Sequence, residues 1–151
     1  MKILFVGISN KSTLSGDLKP LDETTATGKI ISQIEQRIMK NSVKINLVDF
    51  TPLDDLGKIR YPNDFEIQNN MPKLIEFIKS HAPCLVFLLG KLVEKSFFKY
   101  SEMKKIKDCC YFLDIHIILY SIKHPSYIHT YKKDLTGEYI NEIEAIVKKH
   151  I

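Results

Sequence analysis

The sequence lacks any apolar run long enough to cross a bilayer; its longest, Cys84 to Gly90 and Ile115 to Tyr120, are of strand length. The opening segment Met1-Lys2-Ile3-Leu4-Phe5-Val6-Gly7 turns polar too early for a secretory leader and has no small-residue cleavage site. We therefore expect a cytoplasmic protein with no membrane partner. Cysteine is scarce as well. The three thiols, Cys84, Cys109 and Cys110, form no Cys-x-x-Cys pair, and the adjacent two are poorly placed to bond each other. That spacing argues against a zinc or iron–sulfur site, so no metal and no cofactor is expected. Charge of one sign is not in large excess either: 22 Lys and Arg face 18 Asp and Glu, a net +4 that permits a nucleic-acid partner without requiring one. Repeats, low-complexity segments and linkers are absent.

The 151 residues, 44% hydrophobic and 26% charged, suit one folded domain over residues 1–151, which we expect to be monomeric. Strand and helix signals alternate along it. Lys2 to Val6 reads as a buried first strand ending at Gly7, and Val43 to Val48 as a second. Cys84 to Leu89 and Ile115 to Tyr120 read as a third and fourth, apolar throughout as strands covered on both faces should be. Between them lie helical stripes. Ile30, Ile31, Ile34 and Ile38 follow a cap at Thr24 or Thr25; Met71, Leu74, Ile75 and Ile78 form another stripe. Leu92, Val93, Phe97 and Phe98 mark the inner side of a third helix, and Ile140, Ile143, Ile146 and Val147 that of a last one from about Asp134. The pattern predicts an α/β protein of three layers, α/β/α, around a central four-stranded parallel sheet. Ligands of such sheets bind beyond the carboxyl ends of the strands. Two loops there, Ser9 to Glu23 and Phe50 to Asp64, are unusually long.

Four landmarks stand at those strand ends. They are Val6-Gly7-Ile8-Ser9-Asn10 with Thr27-Gly28-Lys29-Ile30-Ile31 behind it, Asn46-Leu47-Val48-Asp49-Phe50-Thr51-Pro52, Leu85-Val86-Phe87-Leu88-Leu89-Gly90-Lys91, and Tyr120-Ser121-Ile122-Lys123-His124-Pro125-Ser126-Tyr127-Ile128. In order and spacing they resemble the uracil-DNA glycosylase superfamily, especially small members of the type that often carries an iron–sulfur cluster. The resemblance implies DNA as partner and a glycosylase activity. It places His124 as donor to the departing base and Ser126 on a phosphate, and it assigns Asn46 to the edge of a flipped base. A histidine at a strand end suits this role, because bond cleavage leaves negative charge on the carbonyl oxygens of the base. An asparagine amide both gives and accepts hydrogen bonds, matching that edge. Gly7 and Leu21 would adjoin the base. Lys91, Lys123 and Lys132, the last two in a stretch without acids from Ser121 to Lys133, would meet phosphates. The plainer reading of His124 is a solvent-facing turn residue, and of Asn46 a mid-strand residue capping an edge.

The first loop departs from the family pattern. The position of the water-positioning acid or amide holds Ser9, with Asn10 one residue late, and Leu21 stands where a phenylalanine is usual. Asn10 or Ser9 would handle the water, or a carboxylate of Asp17, Asp22 or Glu23 would; Phe65 or Tyr61 would serve under the base. The cluster cysteines are missing. Two alternatives remain: a catalytically weakened nucleic-acid-binding module on this fold, and a flavodoxin-like nucleotide-binding domain using Ser9-Asn10-Lys11-Ser12-Thr13 as a phosphate loop. That loop would ordinarily run straight into a helix.

Overall fold

The computed structural model describes residues 1–13 and 16–151. Its strands are Lys2–Gly7 (β1), Ser12–Thr13 (β2), Gly16–Asp17 (β3), Val43–Asn46 (β4), Cys84–Leu89 (β5), Lys104–Lys107 (β6), Cys110–Asp114 (β7) and Ile117–Ile122 (β8). The α-helices are Ala26–Ile38 (α1), Asp64–Lys79 (α2), Lys91–Tyr100 (α3), Pro125–Tyr131 (α4) and Thr136–His150 (α5), with a 3-10 turn at Lys133–Leu135. The main sheet runs β4-β1-β5-β8-β7-β6. Its first four strands are parallel, and β7 and β6 continue it antiparallel.

Alternation within the buried strands builds both outer layers. Ile3 and Phe5 of β1 and Leu85, Phe87 and Leu89 of β5 join the isoleucines of α1 and Ile140, Ile143 and Val147 of α5. Leu4, Val6, Val86 and Leu88 point the other way, among Ile67, Met71, Leu74 and Ile78 of α2 and Val93 and Phe97 of α3. A period of two in a strand sends neighbours to opposite faces, so each short run supplies two cores. Phe5 and Phe87 stack at 5.2 Å between ring centroids. Local signals set the helix starts. The Thr25 hydroxyl accepts from the Gly28 amide at α1, and Asn63 and Glu66 form a reciprocal capping box at α2.

The expected three-layer architecture is present, with a sheet of six strands where four were expected. The extra two come from Lys104 to Asp114. There Asp108 and Cys109 turn the chain, Cys109 at φ 62°, without the glycine that ordinarily announces such a hairpin. The outer strand β6 is exposed and carries Lys104, Lys105 and Lys107, charges that discourage further pairing at an open edge. Three smaller expectations change too. Ile115 lies in the turn before β8 and is 88% exposed, held there by the His116 amide donating to Asp114. Phe98 faces solvent from α3, and the second strand ends at Asn46. Within the expected loop from Ser9 to Glu23, Ser12–Thr13 pairs with Gly16–Asp17, and Leu14 and Ser15 lie outside the described residues. Ser12 is thus paired with Asp17 in a short antiparallel ladder and does not lead into a helix as a phosphate loop would. Among the described residues no helix is long and apolar enough to cross a membrane.

Because Phe87 is fully buried between Phe5 and Tyr120, Phe87→Ala should cost about 3–5 kcal/mol in urea unfolding. Ile115→Ser, in the exposed turn, should change it by less than about 0.5 kcal/mol.

Candidate active site

Register brings the four strand ends to one edge of the sheet. Gly7 lies opposite Asn46, and Leu89 opposite Ile122. Beyond that edge opens a cleft of about 880 Å³. Its walls include Ser9, Leu21, Asn46, Lys91, His124 and Ser126, so residues from all four landmarks meet there. Five cations also line it, Lys11, Lys19, Arg60, Lys91 and Lys95, against a single acid among the described residues, Asp22.

His124 is the N-cap of α4, and Pro125 opens that helix with its φ already helical. The Ser126 amide donates to His124 Nδ1 at 3.2 Å, and the Ser126 hydroxyl lies 2.7 Å from the same nitrogen. A nitrogen that accepts an amide hydrogen carries no proton, so in the neutral ring the proton sits on Nε2. Among the described residues Nε2–H has no partner, which leaves it a donor for a ligand in the cleft. Burial, and then the charge of Lys11, lowers the His124 pKa to about 4. The loop is fixed from two sides. The Tyr139 hydroxyl of α5 donates to the Lys123 carbonyl at 2.5 Å. Gly90, at φ 95°, packs so near that a Cβ there would stand 3.2 Å from that of His124.

Asn46, only 3% exposed, closes β4. Its Nδ2 donates to Asn10 Oδ1 at 2.8 Å, and Asn10 Nδ2 donates in turn to the Asp49 carbonyl at 3.0 Å. The Asn46 Oδ1 is buried and has no hydrogen-bond partner. A buried orphaned acceptor carries a desolvation penalty that a ligand N–H would relieve. Gly7 makes this arrangement possible. A Cβ on it would lie 2.6 Å from that oxygen and 2.7 Å from Leu21 Cδ2. Leu21 itself sits at φ 51°, a left-handed conformation that costs about 1–3 kcal/mol in a non-glycine residue and is concentrated at functional sites.

The remaining candidates divide. Ser9 and Lys91 reach the cleft, the latter 3.6 Å from Glu94. Asn10 stands behind Asn46 and does not line the cleft. Lys123 lies over the Tyr127 ring at 5.9 Å, and neither it nor Lys132 lines the cleft. Ser126 lines it with its amide and hydroxyl both on His124. Tyr61 forms part of the wall, whereas Phe65 is exposed elsewhere on α2. Sequence reasoning missed Lys95, which follows Lys91 at helical spacing, and Arg60, whose guanidinium is held by Glu66 at 2.7 and 3.1 Å. The cysteines do not suit an iron–sulfur cluster: Cys84 is buried in β5 with its thiol pushed up to about 11 by burial, and Cys109 and Cys110 sit at the β6–β7 hairpin. The ring nitrogens of His124 offer a direct check. Nitrogen NMR should show a neutral Nε2–H imidazole from pH 7 down to pH 5, and an imidazolium already at pH 6 would contradict the geometry.

A family model described as the uracil DNA glycosylase superfamily matches residues 21–148. Among solved structures the chain is similar to wild-type SMUG2 of Pedobacter heparinus, at a TM-score of 0.60 and 15% identity over 98% of this chain and 75% of that one. That likeness shows the fold. No curated protein matches the chain. With four landmarks on one cleft and a family match across most of its length, the chain belongs to the uracil DNA glycosylase superfamily and is a DNA glycosylase-like protein.

Proposed function

We propose that the protein is a monofunctional DNA glycosylase that hydrolyses the N-glycosidic bond of uracil in DNA. One observation supports this above the others: His124, with an unpaired Nε2–H, and Asn46, with an unpaired buried Oδ1, line the same cleft. Uracil presents an N3–H between two carbonyl oxygens. The buried Asn46 Oδ1 suits that N–H, whereas cytosine would turn its N3 lone pair toward another lone pair. As the bond to C1′ breaks, its electrons pass into the base and onto a carbonyl oxygen. A preorganised His124 Nε2–H stabilises that oxygen with no solvent to reorganise. The neutral imidazole donates from Nε2–H while its Nδ1 accepts from the Ser126 amide, so the ring is held in the orientation this bond needs. Lys91 and Lys95 at the mouth suit the phosphates of a flipped-out nucleotide. A binding module without chemistry is favoured by one fact alone, that Ser9 and Asn10 bring no charge to the first loop.

On an oligonucleotide with one uracil, the protein should leave an abasic site that alkali cleaves. His124→Ala should lower kcat/KM by about 10²–10³-fold, as removal of one such donor does. Intact uracil, hypoxanthine and xanthine substrates would refute the reading. Salt-sensitive DNA binding without base release would favour the binding module instead. The pH profile should be flat on the His124 side from pH 8 to pH 5, falling only as the ring protonates near its pKa of about 4.

A further inference from the structure

The Asn10 side chain is turned to Asn46 and the Asp49 carbonyl and does not line the cleft, so it does not reach an attacking water there. Ser9 reaches the cleft but is neutral. Departure of a base leaves positive charge at C1′, and a neutral hydroxyl does little for it. We infer that Asp22, the single carboxylate lining the cleft among the described residues, is the catalytic residue that positions the attacking water and faces the oxocarbenium ion. This rests on the glycosylase reading and completes it.

The residue is held more tightly than its place in a long loop suggests. Its carbonyl accepts from the Thr25 hydroxyl at 2.7 Å and from the Thr25 amide at 2.9 Å. Gly28 packs directly on that carbonyl, where a Cβ would stand 1.9 Å from the oxygen. The side chain is fixed through Oδ1, which accepts from the Thr24 amide at 2.9 Å and the Thr24 hydroxyl at 2.8 Å. Oδ2 has no hydrogen-bond partner among the described residues. The two bonds from Thr24 hold the carboxyl below the usual carboxylate range, so it is ionised throughout the neutral region. An anchored anion with one free oxygen, on a wall that is otherwise cationic, matches what the step requires.

In that step the C1′–N bond breaks and its electron pair leaves with the base, whose anion is stabilised by His124. The water oxygen bonds to C1′ while one of its protons passes to Asp22 Oδ2 and from there to solvent. The base anion then takes a proton from solvent, so water and nucleotide give free base and an abasic sugar.

Asp22→Asn tests this cleanly, because the amide oxygen still accepts both bonds from Thr24 while the charge and the base are removed. In single-turnover assays on uracil DNA, kcat should fall about 10²–10⁴-fold with KM and melting temperature little changed. Asp22→Ala should regain part of its activity when formate is added, which loss of a merely structural residue would not allow. An Asp22→Asn enzyme within threefold of wild type would overturn the assignment and leave the glycosylase reading intact. A wild-type protein that releases no base would overturn both. A folded Asp22→Ala variant that formate fails to restore would count against a proton-accepting carboxylate at this position.

Discussion

Gly7 stands opposite Asn46 and Leu89 opposite Ile122, and the cleft depends on that parallel pairing. β1, β5 and β8 are packed on both faces and β4 on one, through Val43 and Ile45, so a slip of one residue would drive apolar side chains into the wrong layer or into solvent. Core packing therefore fixes register, and register fixes which residue leaves the sheet at its carboxyl edge. Asn46, Gly90 and His124 come together because Leu4 and Val6 pack on one side while Ile3 and Phe5 pack on the other.

Close approach is the second constraint. At Gly7, Gly28 and Gly90 a missing side chain lets another group lie within ordinary contact distance of the backbone: the Asn46 amide, the Asp22 carbonyl and the His124 ring. Each of those three belongs to a residue whose polar group meets the cleft. The glycines thus let these groups pack directly against the backbone. The left-handed Leu21 between two of these contacts stores some of the cost.

Electrostatics follows from the same packing. The imidazole of His124 is buried and lies near Lys11, and both effects disfavour a second proton. Its neighbour Ser126 supplies the donors that select the tautomer. Burial first, and then Lys11 on the cleft wall, thus keep the histidine a neutral donor. Asp22 is the counterweight, ionised because Thr24 donates to it twice. The cleft separates its charges, and in the proposed reaction the uncharged donor would serve the departing base, the cations the phosphates and the one anion the sugar.

Much of this was legible from the chain alone. Apolar runs and helical stripes determined the four buried strands, their order with the helices and the layered class, because period and burial are local properties of a sequence. The resemblance at four strand ends, and with it His124 and Asn46, was also open to reading. The β6–β7 hairpin was not, since its turn at Asp108 and Cys109 has no glycine and its outer strand is lysine-rich. Nor was the division of labour within the first loop. Asn10 and Asp22 are both polar loop residues near a strand end, and nothing in spacing says which one faces the cleft. Their roles are set by contacts across 36 residues to Asn46 and by the Thr24–Gly28 helix start pressing on Asp22. A side chain's direction depends on what packs behind it, and only the tertiary structure decides that.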